Sequence, residues 1–189
     1  SCSHQAGGPR LVTYIERSGW TRVPRPSGLA PLAGSELRGV AVHHVGATPF
    51  GATASLAQSV RRLEDIRVQH TAAEPAGKGW SDIAYLAGAD QAGRVFDLRG
   101  VRYRSAANGD QTVNRSHGAF LFLLGGDDVP TLAAIEAFAV WRRDVWLAAW
   151  PRATAVVGHR ALHATECPGT ALAGLVQSGR LATPPPSKE

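Results

Sequence analysis

The residue types in this chain that do chemistry lie in two clusters, far apart in sequence. Val157-Gly158-His159-Arg160-Ala161-Leu162-His163 runs on through Ala164-Thr165-Glu166 to Cys167-Pro168-Gly169, so an imidazole stands eight residues before a thiol. Upstream, Val40-Ala41-Val42-His43-His44-Val45 closes an apolar run with two histidines. Imidazole nitrogen and thiolate sulfur both suit zinc, and a protein that offers one of each takes a third ligand from elsewhere. Histidines at successive strand positions face opposite sides, so only one of His43 and His44 can join the same site. A three-ligand set leaves the fourth position open, as catalytic zinc requires, and zinc lowers the pKa of a bound water to about 7. A structural zinc would want four protein ligands, and only three here have good spacing. His163, four residues before Cys167, competes with His159 for its place.

The elements that must hold these residues are legible as apolar runs. Ala153–Val157 is predicted as a strand that delivers His159 at its end. Gly39–Val45, apolar enough to be buried on both faces, is a central strand, and Ala119–Leu124 (AFLFLL) a second. Ile83–Gly88 and Arg94–Arg99, around a turn at Ala89–Gly93, read as a hairpin. A helix is predicted from Thr53, its N-cap, to about His70, with Leu56, Val60, Leu63 and His70 on its buried stripe. A second opens at Asp127-Asp128-Val129-Pro130-Thr131, buries Leu132, Ile135, Phe138, Val145 and Trp146, and runs to about Trp150, where Pro151 stops it. Gly169–Gln177 is the last helix. Leu11 to Trp20 begin the fold, Thr21–Arg38 is a Pro- and Gly-bearing loop, and 100–117 has weak strand character at most. Strands interleaved with helices on a buried sheet imply an α/β fold, a single domain with a central mixed β-sheet and a zinc site in a cleft at strand ends. Its expected limits are 11–182, after a flexible lead-in over 1–10 and before a disordered tail over 183–189.

The formal charge is +5, and the cations are nearly all arginine, which favours planar anions such as carboxylates and phosphates. An anionic cell wall fits such a surface; with no aromatic-basic recognition motif, nucleic acid is not expected as a partner. No apolar run reaches the ~20 residues of a membrane span. There are two cysteines, so if Cys167 binds metal, Cys2 has no partner within the chain and no disulfide framework exists. The sequence lacks methionine, which is consistent with a processed start after removal of a signal peptide. Cys2 near such a start is either lipid-bearing or a free thiol.

VAVHH, then GWSDIAY with a following hairpin, then GHR followed by TECPG, resemble in that order the type 2 N-acetylmuramoyl-L-alanine amidases. That family includes the peptidoglycan recognition proteins and the phage lysozyme-like amidases. The match runs roughly from Leu11 to Leu181 and includes ERSGW, which looks like the family's opening motif. The resemblance implies Zn2+ held by His43, His159 and Cys167, with His163 matching nothing, and hydrolysis of the amide between N-acetylmuramic acid and L-alanine by attack of a zinc-bound water. Tyr85 matches the family's catalytic tyrosine, and Thr165 falls where relatives carry Lys or Thr. His44 and His70 are expected on the cleft wall. Gly79-Trp80 and Arg99, in DLRG, imply peptidoglycan or muropeptide partners of the meso-diaminopimelate type, because Arg pairs in bidentate fashion with the extra carboxylate. Asn114 resembles an asparagine near the glycan groove. One departure is that Ser105-Ala106-Ala107 lacks the histidine many relatives carry there. Branches of the family that only bind usually lose the thiolate, and muropeptide-recycling relatives carry an acid in its place, so Cys167 with Tyr85 implies an amidase. Such an enzyme is expected to be secreted or in the cell envelope.

Overall fold

The computed structural model describes residues 11–185. The expected lead-in over 1–10, with Cys2, and the last part of the expected tail lie outside those residues. Six strands form one mixed sheet: β1 (Tyr14–Ile15), β2 (Gly39–His44), β3 (Ala87–Ala89), β4 (Val95–Asp97), β5 (His117–Phe122) and β6 (Ala155–Gly158), in the order β1-β4-β3-β5-β2-β6. Only β3 and β4 pair antiparallel, as the tight turn between them requires; the other pairs are parallel. The long strands β2 and β5 sit centrally because their runs are apolar on both faces, and every residue of β5 is buried.

Helix α1 (Leu56–Thr71) covers one face of the sheet. Helix α3 (Leu132–Trp141) continues through a π-helical stretch, Arg142–Trp146, into a last turn α4 (Leu147–Ala149), and lies with α5 (Thr170–Gln177) on the other. Leu63, Ile66, Phe96, Leu121 and Leu123 fill the first interface; Val40, Val42, Phe120, Phe122, Phe138, Trp141 and Trp146 fill the second. No helix among the described residues is long and apolar enough to cross a membrane.

Four local expectations are corrected. The N-cap of α1 is Ser55, not Thr53, because Ser55 and Gln58 form a reciprocal capping box with bonds of 3.2 and 3.0 Å. Its buried stripe is Ser59, Leu63 and Ile66, while Leu56 is 41% exposed; Ser59 is tolerated inside because its hydroxyl donates to buried Asp90 at 2.7 Å. Helix α3 starts only after Thr131, and Leu132, expected in the core, is 70% exposed. Asp128 instead accepts N–H bonds from Phe50, Gly51 and Gly125, closing a loop. Finally, 100–117 contains a helix, α2 (Gln111–Ser116), capped by Asp110. Six residues are too few to register a helical period.

Candidate metal centre and its cleft

The register of the parallel strands assembles the metal-ligand candidates. Val42 of β2 lies opposite Gly158 of β6, so the next residues along, His43 near the end of β2 and His159 just past β6, come side by side. Their rings stand 4.4 Å apart between centroids. The loop after β6 returns Cys167 to the end of β2, where its sulfur takes the His44 N–H at 3.4 Å and lies 3.6 Å from His43 Nδ1. One ligand atom from each of His43, His159 and Cys167 falls within 4.8 Å of the others, close enough to hold a metal ion together.

The protonation states fit that use. Burial pushes His43 down to about 3, with His159 adding to the effect, so its ring is neutral. Its Nε2 meets Asn108 Oδ1 at 2.8 Å, which leaves Nδ1 as the lone pair facing the group. Burial also lowers the pKa of His159, whose Nε2 is buried and has no hydrogen-bond partner. Burial raises the Cys167 thiol to about 11, opposed by the His44 N–H and Arg160. A buried nitrogen without a partner is costly unless something satisfies it, and a cation at the group would do so while displacing the thiol proton. Two imidazoles and a thiolate are a borderline-soft donor set of the kind zinc takes.

His44 points to the opposite face of β2, as strand alternation requires. There it lines a cavity of about 250 Å³ with Asp127, Asp128 and Gly169. Tyr85 stands on the His43 side, its ring edge-on to His43 at 5.3 Å. Burial and the nearby Cys167 raise its pKa, so the phenol stays protonated. Thr165 Oγ1 accepts the Cys167 N–H at 3.2 Å and so shapes the loop that carries the ligand. His163 is exposed, stacked on His159 at 5.8 Å and set against Gly109, outside the ligand group.

His70 closes α1 between Trp80 and Tyr85, with ring distances of 5.0 and 5.8 Å. Its Nδ1 accepts the Ala84 N–H at 3.0 Å, leaving Nε2–H as its donor, and burial lowers its pKa to about 4. A second cavity, of about 350 Å³, is lined by Gly79, Trp80, Ser81, Arg99, Arg104 and Ser105 among others. Arg99, expected to offer its guanidinium to a ligand, is 6% exposed and donates to the backbone carbonyls of Ile83, Arg104 and Asp82 at 2.8–3.0 Å. It braces the cavity wall. The neighbouring Arg104 has a buried Nε with no partner. Asn114, expected beside a glycan, is 3% exposed, and its Oδ1 accepts from the Asn108 N–H at 3.0 Å and the Ser105 hydroxyl at 3.3 Å.

Asn108 and Arg104 are the residues that sequence reasoning missed. Arg104 could have been noticed as a second arginine close after Arg99. Asn108 gave no signal, since a lone asparagine has no ligand spacing.

Compared by sequence alone, the chain matches no family model and no curated protein. Compared by structure, it is similar to bumblebee PGRP-SA, with a TM-score of 0.73 and 22% identity over 93% of this chain and 100% of that one. It is similar to wild-type Drosophila PGRP-LB, with a TM-score of 0.71 and 23% identity over 89% of this chain and 94% of that one. It is also similar to peptidoglycan recognition protein-LE in complex with tracheal cytotoxin, a monomeric diaminopimelic acid-type peptidoglycan, with a TM-score of 0.71 and 24% identity over 88% and 93% of the two chains. The six-stranded mixed sheet, the helices on both its faces and the cleft at its strand ends are thus those of the peptidoglycan recognition protein fold.

Proposed function

We propose that the chain is a zinc-dependent N-acetylmuramoyl-L-alanine amidase that hydrolyses the amide between N-acetylmuramic acid and L-alanine in peptidoglycan. The observation that carries this reading is the convergence of one ligand atom each from His43, His159 and Cys167 within 4.8 Å, with Cys167 Sγ 3.6 Å from His43 Nδ1, beside a phenol that burial keeps protonated. Held by these residues, zinc supplies a Lewis acid for the scissile carbonyl and makes a nucleophile available near neutral pH. The rest of the chemistry belongs to the chain. Tyr85 is an O–H donor beside the ligands, suited to the negative charge that grows on the amide oxygen. Thr165 accepts the Cys167 N–H, leaving its hydroxyl proton as a further donor in the same loop.

The stem peptide fits the cavity that runs from Trp80 to Ser105. Its two arginines favour an anionic side chain, and a meso-diaminopimelate stem presents a carboxylate that a lysine stem lacks. Arg99 holds the wall, and Arg104 is the cation with a nitrogen to spare. His70, between the rings of Trp80 and Tyr85, keeps Nε2–H as a further donor, and His44 serves the cavity on the other side of β2. A peptidoglycan substrate fits action outside the cell or in its envelope.

The test is zinc content of the purified protein together with mass spectrometry of diaminopimelate-type peptidoglycan after digestion. The expected result is one zinc per chain, lost in Cys167→Ala, and free stem peptides beginning with L-alanine. Zinc-loaded protein that binds peptidoglycan yet releases no stem peptide overturns the enzymatic reading in favour of recognition alone.

A further inference from the structure

One imidazole of the metal group leads back to a residue that carries no metal-ligand chemistry of its own. Asn108 is fully buried, and its side-chain amide donates from Nδ2 to the His117 carbonyl at 2.8 Å. That bond fixes the amide orientation, because a carbonyl oxygen only accepts. Oδ1 therefore faces His43 Nε2, at 2.8 Å, and must accept a proton from it. With Nε2 protonated, the lone pair that a metal needs is on Nδ1, the atom 3.6 Å from Cys167 Sγ.

The neighbouring ring of His159 has a buried Nε2 with no partner among the described residues. His43 is the ring whose tautomer Asn108 selects, through its side chain.

Asn108 is itself held in place. Its N–H donates to Asn114 Oδ1 at 3.0 Å. Gly109 then turns the chain at φ +120°, a left-handed conformation that favours glycine, with His163 Nδ1 2.6 Å from where a Cβ would stand. The loop that lines the stem-peptide cavity through Ser105 and Ala106 thus continues directly into the support of the metal ligands.

We propose that Asn108 is the positioning residue of the metal centre, fixing which nitrogen His43 presents. The inference rests on the zinc site assigned under the proposed function, and the tautomer is read without metal so that the two fail separately. Imidazole nitrogen shifts of the metal-free wild-type protein, measured by NMR, should report His43 protonated on Nε2. A His43 ring protonated on Nδ1, or one exchanging between both tautomers, overturns the proposal, whether or not zinc binds. In Asn108→Leu, His43 should lose its single tautomer and zinc affinity should fall by about 10–100-fold, the range for outer-shell partners of a ligating histidine. The cobalt-substituted variant should show altered visible bands.

Asn108→Asp keeps an acceptor toward His43 and should restore most of the affinity despite lower stability. Ile66→Ala, which weakens the core under α1 without touching the ligands, should leave affinity and cobalt bands unchanged. If Asn108→Leu binds zinc within twofold to threefold of wild type, or loses no more affinity than Ile66→Ala, the proposal is wrong.

Discussion

Removing Asp82 tests how the Tyr85 side of the cleft is built. Arg17 Nη1 and Nη2 pair with both Asp82 oxygens at 2.7 and 2.9 Å, with Arg17 8% and Asp82 1% exposed. Arg17 also donates to the carbonyls of Leu98 and Val23, so its position is fixed from three sides. Asp82→Ala leaves a buried guanidinium without its counter-charge. Breaking such a pair costs about 3–5 kcal/mol. At roughly 2–4 °C per kcal/mol for a domain of this size, the melting temperature should fall by about 6–20 °C. Replacing both partners, Arg17→Met with Asp82→Leu, should recover much of that loss, because neither charge is then stranded. Asp82 also opens the segment that reaches Tyr85, and its main-chain carbonyl is one of those gripped by Arg99. Turnover in Asp82→Ala should therefore fall more than zinc affinity. Urea unfolding of the single and double variants measures the first claim, and metal titration beside kcat the second. A single-variant loss below about 1 kcal/mol would refute the reasoning.

Three further outcomes are expected. Tyr85→Phe should keep zinc and muropeptide binding but lose about 10²–10³ in turnover, the cost of one oxyanion donor; unchanged kcat removes Tyr85 from the mechanism. In the metal-free protein, burial holds His43 at about 3 and His70 at about 4, below the ordinary 6.5. Folded-state values below the unfolded ones give stability that is complete above pH 6.5 and is lost as pH falls toward those values, so Tm in chelator should drop between pH 7 and 5; a flat profile counts against neutral buried rings. Diaminopimelate stems should be cut in preference to lysine stems by roughly tenfold to 150-fold, from ~1.5–3 kcal/mol for a hydrogen bond to a charged group, and Arg104→Ala should erase the preference; equal cutting of both stems by the native enzyme sinks this claim.

The central strands were legible because β2 and β5 are continuous apolar runs, and burial on both faces writes itself into composition. The histidines and cysteine were legible because ligand chemistry limits the residue types. What stayed hidden depends on contacts rather than pattern. The two-residue strand β1 and the six-residue α2 are too short to carry a period. Arg99 reads as a free cation until the three carbonyls it serves are seen. Asn108 acts through a side-chain bond to a histidine 65 residues away, which no local pattern announces.

The parallel register of β2 between β5 and β6 also ties metal capture to the folding of the whole sheet. His43 and His159 meet only after two long chain reversals have closed, and Asn108 joins them from a third region. An unfolded chain presents no such trio, although His159 and Cys167 alone could bind weakly. A ligand that prefers the folded state stabilises it by mass action, about 4 kcal/mol at a thousandfold excess over its dissociation constant. Cys167 is a free thiol, so a bound ion would be the cross-link that joins β2 to the loop after β6. Chelation would then loosen the cleft end of the sheet first and leave the opposite end, where Gly39 pairs with both His117 and Ala155, closed for longer.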